Sequence, residues 1–547
     1  MEMRDMRARQ PARPTDPDSA ALARAGKKQV LKPLCHGFRQ VSFSQPSHSY
    51  GLIMASDCLQ WRPSRTRVPV SPRLDRHTVH IHLHRGTGVH VSNPSSPPPA
   101  LSLSDTPDLR APAAGGQYHW VYMLAPKPMR NFMSYVTAWM TILAWIATVA
   151  TGAYLSASMI QSVCIVNWEG FAANQRPYQL TLMTWAVVLA CVLCNTVVAS
   201  LLPRIESLFF VLHVLGFFAI LIPLVYYSPK GDASVLFSTR LNQGQWPTYG
   251  LSFMVGTLGS ALSFVGADAA THMSEEVTNA PVNVPRSIVT SIIVNGTLGL
   301  AMLLAAIFCM GDPAAALEAQ DTIGYPFIEI FIQGTGSLSG STVMASILIA
   351  LSCSATVGFL ATASRIIWSF ARDNGLPFSS LLSRLISKAA KVHERSRVPL
   401  YAIAVASIVP CGLTLINVGS LIAFNGVTSL ALVGFYSTYF LSLIFLLCRR
   451  LGSSICSPGP TGDTAGCGLI WGPWHVPGWL GVANNALSCA YLLVIWSFGF
   501  FPSSLPVTQT NMNYSSVVFG ATVLYSLVYY VIWARKSYDG PVIEISA

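Results

Sequence analysis

Charge is what this sequence has least of. Only 10% of its 547 residues are Asp, Glu, Lys or Arg, against about 25% in an ordinary soluble protein. Such a chain cannot cover a large water-facing surface, so most of it meets a different solvent. Its twelve cysteines are scattered, most of them inside apolar runs, which excludes a disulfide framework and a zinc-binding spacing. Cys191 and Cys194 form a C-x-x-C, but on a helix at lipid depth this reads as packing rather than redox chemistry. The first thirty residues are polar and contain no apolar core, so no cleavable signal peptide is expected. G-x-S-x-G, H-E-x-x-H and paired intramembrane aspartates are all missing. A membrane enzyme would need such facing groups, so the chain does not read as an enzyme.

What the sequence does have is apolar length. Ten runs of about 20 residues follow one another, at roughly 134–157, 179–202, 207–227, 249–270, 287–310, 342–368, 399–417, 421–447, 478–501 and 515–533. Each is long enough to cross a hydrocarbon core of about 30 Å. Backbone polar groups must be satisfied internally in lipid, so the runs are helices. The fold class is an all-α polytopic membrane protein.

The charges that exist are unevenly placed. Residues 1–133 hold 18 of the 34 Lys and Arg and only 8 of the 23 acids, so nearly all of the +11 net charge lies in the N-terminal quarter. Along the rest, twelve Lys and Arg fall on one set of alternating loops, and only Arg176, Lys230 and Arg240 on the other. Positive loops favour the cytoplasmic side, which puts both termini in the cytoplasm. Residues 1–110 form a basic, low-complexity region expected to be disordered; 111–536 form the transmembrane domain, and 537–547 a short cytoplasmic tail. The tract HTVHIHLHRGTGVH in the first region reads as low complexity rather than as a metal site. Without aromatic interleaving or a folded module, the basic region is not read as a nucleic-acid binder. The basic loop 371–398 reads as a topology determinant, and Asn513-Tyr514-Ser515 as an outward sequon close to a helix start.

The stretch FVGADAATHMSEE (264–276) interrupts this pattern. A glycine and three carboxylates stand at the edge of an apolar run, where a charged group costs about 2.5–3.5 kcal/mol on insertion scales. One reading is a discontinuous helix near Phe264–Asp268, with exposed backbone groups and the Asp268 carboxylate lining a water-filled path. The other is that the helix ends here and Asp268 caps the next segment. His272, Glu275 and Glu276 share one helical face, a spacing compatible with a metal. With no second cluster to complete a ligand set, a solvated cytoplasmic face is expected instead, and no metal site.

FVGADAATHMSEEVTNAPVNVPRSIVTSIIVNGTLG resembles the segment following the broken sixth helix in the fungal branch of the amino acid–polyamine–organocation (APC) superfamily, closest to the GABA, choline and amino-acid permeases. AAGGQYHWVYMLAP (113–126) resembles the lead-in to their third helix, and SRIIWSFARDNGLPF (364–378) the loop after their eighth. The resemblance implies a LeuT-like five-plus-five inverted repeat with two additional helices and a solute held between broken helices one and six. The ten runs would then be helices three to twelve. Phe264, Gly266 and Asp268 fall at the break, Trp139 and Trp145 on helix three, Ser354 on helix eight, and Phe424 and Asn425 on helix ten. Those spans flank the family's solute cavity, and an aromatic there would stack on a cationic amine.

Nothing in residues 1–112 resembles helices one and two, so the chain is expected to lack them through a wrongly assembled 5′ end or a genuine truncation, and to transport poorly as written. The function implied is secondary active transport of amino acids or related amines (GABA, choline, polyamines). The coupling ion implied is the proton, with Asp268 and Glu276 as candidate titrating groups, and no other cofactor is expected. The alternative is a transport-inactive remnant or a nutrient sensor. The partners are a small amine or amino-acid solute and the lipid bilayer, and the membrane is the plasma membrane, with the vacuolar membrane as second choice.

Overall fold

The computed structural model describes residues 114–541 apart from 232–241, 243, 278–279, 377–398, 420, 453–454, 456–468, 470, 472–475 and 510. The region before residue 114, the histidine tract and most of the 371–398 loop therefore lie outside the described residues, as does the expected loss of helices one and two.

The elements in chain order are α1 Gln117–Leu124, α2 Arg130–Asn167, α3 Glu169–Ala173, α4 Pro177–Thr196 and α5 Leu202–Tyr227. They continue as α6 Tyr249–Leu262, α7 Ala269–His272, a 3-10 turn Ser274–Glu276, α8 Ala280–Phe308, α9 Pro313–Thr322 and α10 Pro326–Thr335. The remainder is α11 Leu338–Arg372, α12 Leu400–Thr414, α13 Ile416–Gly419, α14 Leu421–Leu451, α15 Gly478–Phe498, α16 Ser515–Ile532 and a 3-10 turn Ala534–Lys536. Among the described residues eight helices are long and apolar enough to cross a bilayer, and α6 and α12 are shorter apolar helices. Each of the ten apolar runs read from the sequence carries a helix, the 249–270 run only as far as Leu262.

The long helix α2 stands at the centre, packed against α11, α14, α1, α4, α16 and α12. Lipid tails are as apolar as leucine, so helices associate in the membrane by close packing of small residues rather than by hydrophobic exclusion. At the α2–α14 crossing Gly434 meets Ala144: a Cβ on Gly434 would lie 2.8 Å from the Cβ of Ala144. Replacing Gly434 by Leu is therefore expected to separate the two helices and to shift the purified protein into aggregates on size-exclusion chromatography. A monodisperse, thermally unaltered variant would remove this contact from the account. Several hydroxyls along α2 find an acceptor within the helix: Thr137, Thr141, Thr148 and Ser156 each reach the carbonyl four residues earlier, satisfying a polar group in an apolar setting.

Helix ends are handled locally. Ser337 Oγ accepts from the Gly340 amide at the start of α11. That helix stops where Asn374 takes φ 56° and the Gly375 amide bonds back to the Phe370 carbonyl at 2.9 Å, a left-handed stop. Arg449 on α14 donates to the carbonyls of Leu124 and Ala125 at 2.8 and 3.1 Å, satisfying the open end of α1. The sequon asparagine is also occupied. Its Nδ2 donates to the Gly499 and Phe501 carbonyls at 2.9 and 3.0 Å, while Oδ1 accepts from the amide of Ser515, the first residue of α16, at 3.1 Å. A glycan bonded to that nitrogen would break these contacts. Treatment with an endoglycosidase is therefore expected to leave the protein's electrophoretic mobility unchanged.

Candidate solute and ion site at the helix break

The apolar run beginning at Tyr249 does not continue as one helix. α6 ends at Leu262, residues 263–268 run as turns, and α7 begins at Ala269. Gly266 has φ +91°, a conformation that side chains with a Cβ rarely adopt, so it is the residue that permits the break. Such an interruption is tolerated at membrane depth only where it is buried in protein or lines a cavity.

Asp268 sits at the N-cap position of α7, yet its carboxylate makes no capping bond there. It is 5% exposed and faces inward instead. Tyr439 on α14 donates its hydroxyl to Oδ1 at 2.7 Å, Gln117 on α1 donates its amide nitrogen to Oδ2, and His272 Nε2 lies 3.4 Å from Oδ2. Neither sequence reading of this aspartate describes that arrangement fully, since it is a buried acceptor joining three elements.

His272 is fully buried. Its Nδ1 lies 2.9 Å from the carbonyl of Ala114. A carbonyl only accepts, so Nδ1 carries the hydrogen and donates. Nε2, aimed at the Asp268 carboxylate, is then a bare lone pair in the neutral ring and an N–H in the protonated one. The approach of the 114–116 turn is made possible by Gly116, at φ +54°, where a Cβ would lie 2.7 Å from His272 Cε1.

Trp145 closes the other side. It is fully buried, stands edge-on to His272 at 6.0 Å and to Phe435 at 5.0 Å between ring centroids, and its six-membered ring abuts Gly266. Among the described residues the indole Nε1 and the Gln117 Oε1 have no hydrogen-bond partner. Unpaired buried polar atoms are uncommon and costly, so the break presents one spare donor and one spare acceptor beside an acid.

Of the residues anticipated from sequence, the fold brings Gly266, Asp268 and Trp145 together. Phe264 packs instead on the apolar cluster of Ala267, Ala270 and Ile288 on the α8 side. Trp139 lies against Tyr525 and Phe370, which is helix packing. Ser354 is buried on α11, and no described hydrogen bond joins it to the break. Phe424 and Asn425 lie in α14, with side chains outside the described residues.

The His272, Glu275 and Glu276 face is not solvated, contrary to expectation. Glu275 and Glu276 are each 2% exposed, because both find arginines on α11. Arg365 Nε donates to Glu276 Oε1 at 2.8 Å, and the same guanidinium reaches the Ala361 carbonyl and Ser364. Arg372 forks onto Glu275 at 2.9 and 3.2 Å and lies 4.4 Å above the Trp368 ring. The Ala114 amide donates to Glu275 as well, at 3.2 Å. Next to this, Tyr118 donates to Asp373 at 2.7 Å. Burial and then the Asp373 carboxylate hold the Tyr118 hydroxyl well above its ordinary range, so it stays a donor. The network ties α1, the segment after the break and the end of α11 into one body. No group of three His, Cys, Asp or Glu among the described residues is arranged to hold a metal.

Gln117, Tyr439, Arg365 and Arg372 were not singled out by the sequence. Arg365, a charge inside an apolar run, was the one with a visible signal. Tyr439 carried none.

Comparison with known proteins agrees with this architecture. The family described as amino acid permease matches residues 109–523. A putative amino acid/polyamine transporter from Macrophomina phaseolina is 28% identical over 74% of this chain and 84% of its own length. The choline transporter of Saccharomyces cerevisiae is 27% identical over 78% of the chain and 71% of its own. The GABA-specific permease of the same yeast is 28% identical over 80% and 73%. These proteins are transporters and not enzymes, and the chain belongs to the amino acid permease family, in the fungal permease branch of the APC superfamily.

Proposed function

We propose that this amino acid or amine transporter is proton-coupled, that the proton is held between Asp268 and His272, and that the solute docks at Gly266 and Trp145. One observation carries the coupling. With Nδ1 committed to the Ala114 carbonyl, the neutral imidazole turns a lone pair toward the Asp268 carboxylate at 3.4 Å. Two acceptors facing each other in a buried site repel, and one proton between them replaces that repulsion with a charge-assisted hydrogen bond. The pair is therefore built to hold a proton and to be disturbed by losing it.

The spare indole N–H of Trp145 and the spare Oε1 of Gln117 match a solute with an acceptor and an amine, and the Trp145 ring suits a cation. GABA and other amino acids carry both groups, while choline and polyamines offer only the cation to the ring. Glu276, the other candidate, is committed to its ion pair with Arg365. We further propose insertion in the plasma membrane with both termini cytoplasmic, the sense in which the twelve loop cations face inward.

The test is uptake of labelled GABA and choline into vesicles holding the full chain, with and without an imposed pH gradient. Uptake is expected to collapse when an uncoupler abolishes the gradient. Uptake indifferent to the uncoupler would overturn proton coupling. Binding without flux would make the protein a sensor, and neither binding nor flux a remnant of the fold.

A further inference from the structure

A second acid lies within the helices and takes no part in the site above. Glu206 is on the second turn of α5, within a membrane span, and is 4% exposed. It belongs to the buried stripe of that helix, with Leu202, His213, Phe217 and Ile220, so it points into protein rather than lipid. Its Oε1 has no hydrogen-bond partner, and among the described residues no hydrogen bond or ion pair reaches the side chain.

Among the described residues the surroundings offer no countercharge. α5 packs on α8, α10 and α11. Of the described charged groups there, Arg286 on α8 is exposed, Glu329 on α10 accepts from Gln333, and Arg365 and Arg372 on α11 are engaged by Glu276 and Glu275. On α5 itself Arg204 is exposed, and His213 lies two turns away on the same stripe. Cys194 on α4 is within electrostatic range and is a thiol without charge to offer. Beside it, Asn195 spends its amide nitrogen on the Cys191 and Val357 carbonyls and keeps an unpartnered Oδ1.

An ionised carboxylate in such a place would carry an uncompensated charge, which buried acids avoid by taking up a proton. We propose that Glu206 is a second proton-binding site, a carboxylic acid that exchanges its proton with water at the Leu202 end of α5. A protonated carboxyl carries no charge and needs no cation beside it. Only a role for this proton in transport rests on the coupled reading above; the protonation itself does not.

Infrared difference spectra of the purified full chain in lipid vesicles test it without requiring transport. Spectra taken at neutral and at alkaline pH, in light and heavy water, isolate the carbonyl stretch of protonated carboxyl groups. The expected result is a band that shifts in heavy water, disappears on alkalinisation, is lost in Glu206→Gln and persists in Asp268→Asn. A Glu206→Gln spectrum identical to wild type would overturn the proposal, because Glu206 would then be ionised. A Glu206-dependent band that ignores both pH and heavy water would overturn exchange with water. A carboxylate band that responds to sodium chloride but not to choline chloride would assign the acid to a metal cation instead. Should Glu206→Gln fail to fold, Glu206→Asp keeps the acid and is expected to move the band rather than remove it.

Discussion

Asp268→Asn is expected to abolish uptake while leaving the protein folded. The carboxylate accepts from Tyr439 and Gln117 and faces His272, and hydrogen bonds to a charged group contribute about 1.5–3 kcal/mol each. Asparagine keeps the shape and one acceptor, and its amide can turn a donor toward the Tyr439 oxygen, so the fold has no reason to collapse. It cannot carry a proton, and it turns a donor or a neutral oxygen toward His272 Nε2. Loss of about 3 kcal/mol at this one step corresponds to roughly a hundredfold in rate or affinity. Initial rates of labelled solute uptake, normalised to the amount of monodisperse protein, are the measurement. Uptake within a few-fold of wild type would leave Asp268 a packing residue and remove the proposed proton site.

Removing Arg365 acts on the other half of the network and has a different signature. Arg365 and Glu276 are both buried and 2.8 Å apart. Such a pair adds little over an apolar pair, but deleting one partner strands the other charge, at about 3–5 kcal/mol. Arg365→Met is therefore expected to lower thermal stability in detergent markedly, and Glu276→Gln to do so less, since it leaves an arginine that still reaches Ala361 and Ser364. The double variant Arg365→Met, Glu276→Met removes both charges together and is expected to recover much of the loss. Equal stability of Arg365→Met and wild type would mean that the pair is hydrated and holds nothing. The two experiments separate the acids: Asp268 is expected to govern uptake, Glu276 the integrity of the assembly.

The helical membrane class was legible in the sequence because hydrocarbon imposes a local rule. About twenty apolar residues in a row satisfy their own backbone only as a helix, and eight of the ten runs hold a helix of spanning length, the other two a shorter one. The break was legible for a related reason, since Gly266 and Asp268 stand where neither belongs in an uninterrupted span. The partners were not legible. Gln117 lies 151 residues from Asp268 and Tyr439 lies 171 away, and nothing local to either marks it. The same holds for the acids at 275 and 276. Their spacing describes a helical face, and whether that face meets water or arginine depends on where α11 passes.

Trp139 and Trp145 show the division most plainly. Both are tryptophans on α2, equally eligible by composition, and six residues apart. Helix rotation sends Trp139 to Tyr525 and Phe370 and Trp145 to Gly266 and His272. The sequence alone determined which segments are helices in lipid and which side chains near residue 266 are out of place, leaving a break and a helix end both open. It did so because solvent, length and backbone hydrogen bonding act within a segment. The tertiary structure decided which acid is paired with arginine, which faces histidine and which, Glu206, has no countercharge among the described residues. Those outcomes depend on contacts between helices far apart in the chain, where an ångström of approach separates an ion pair from a bare charge.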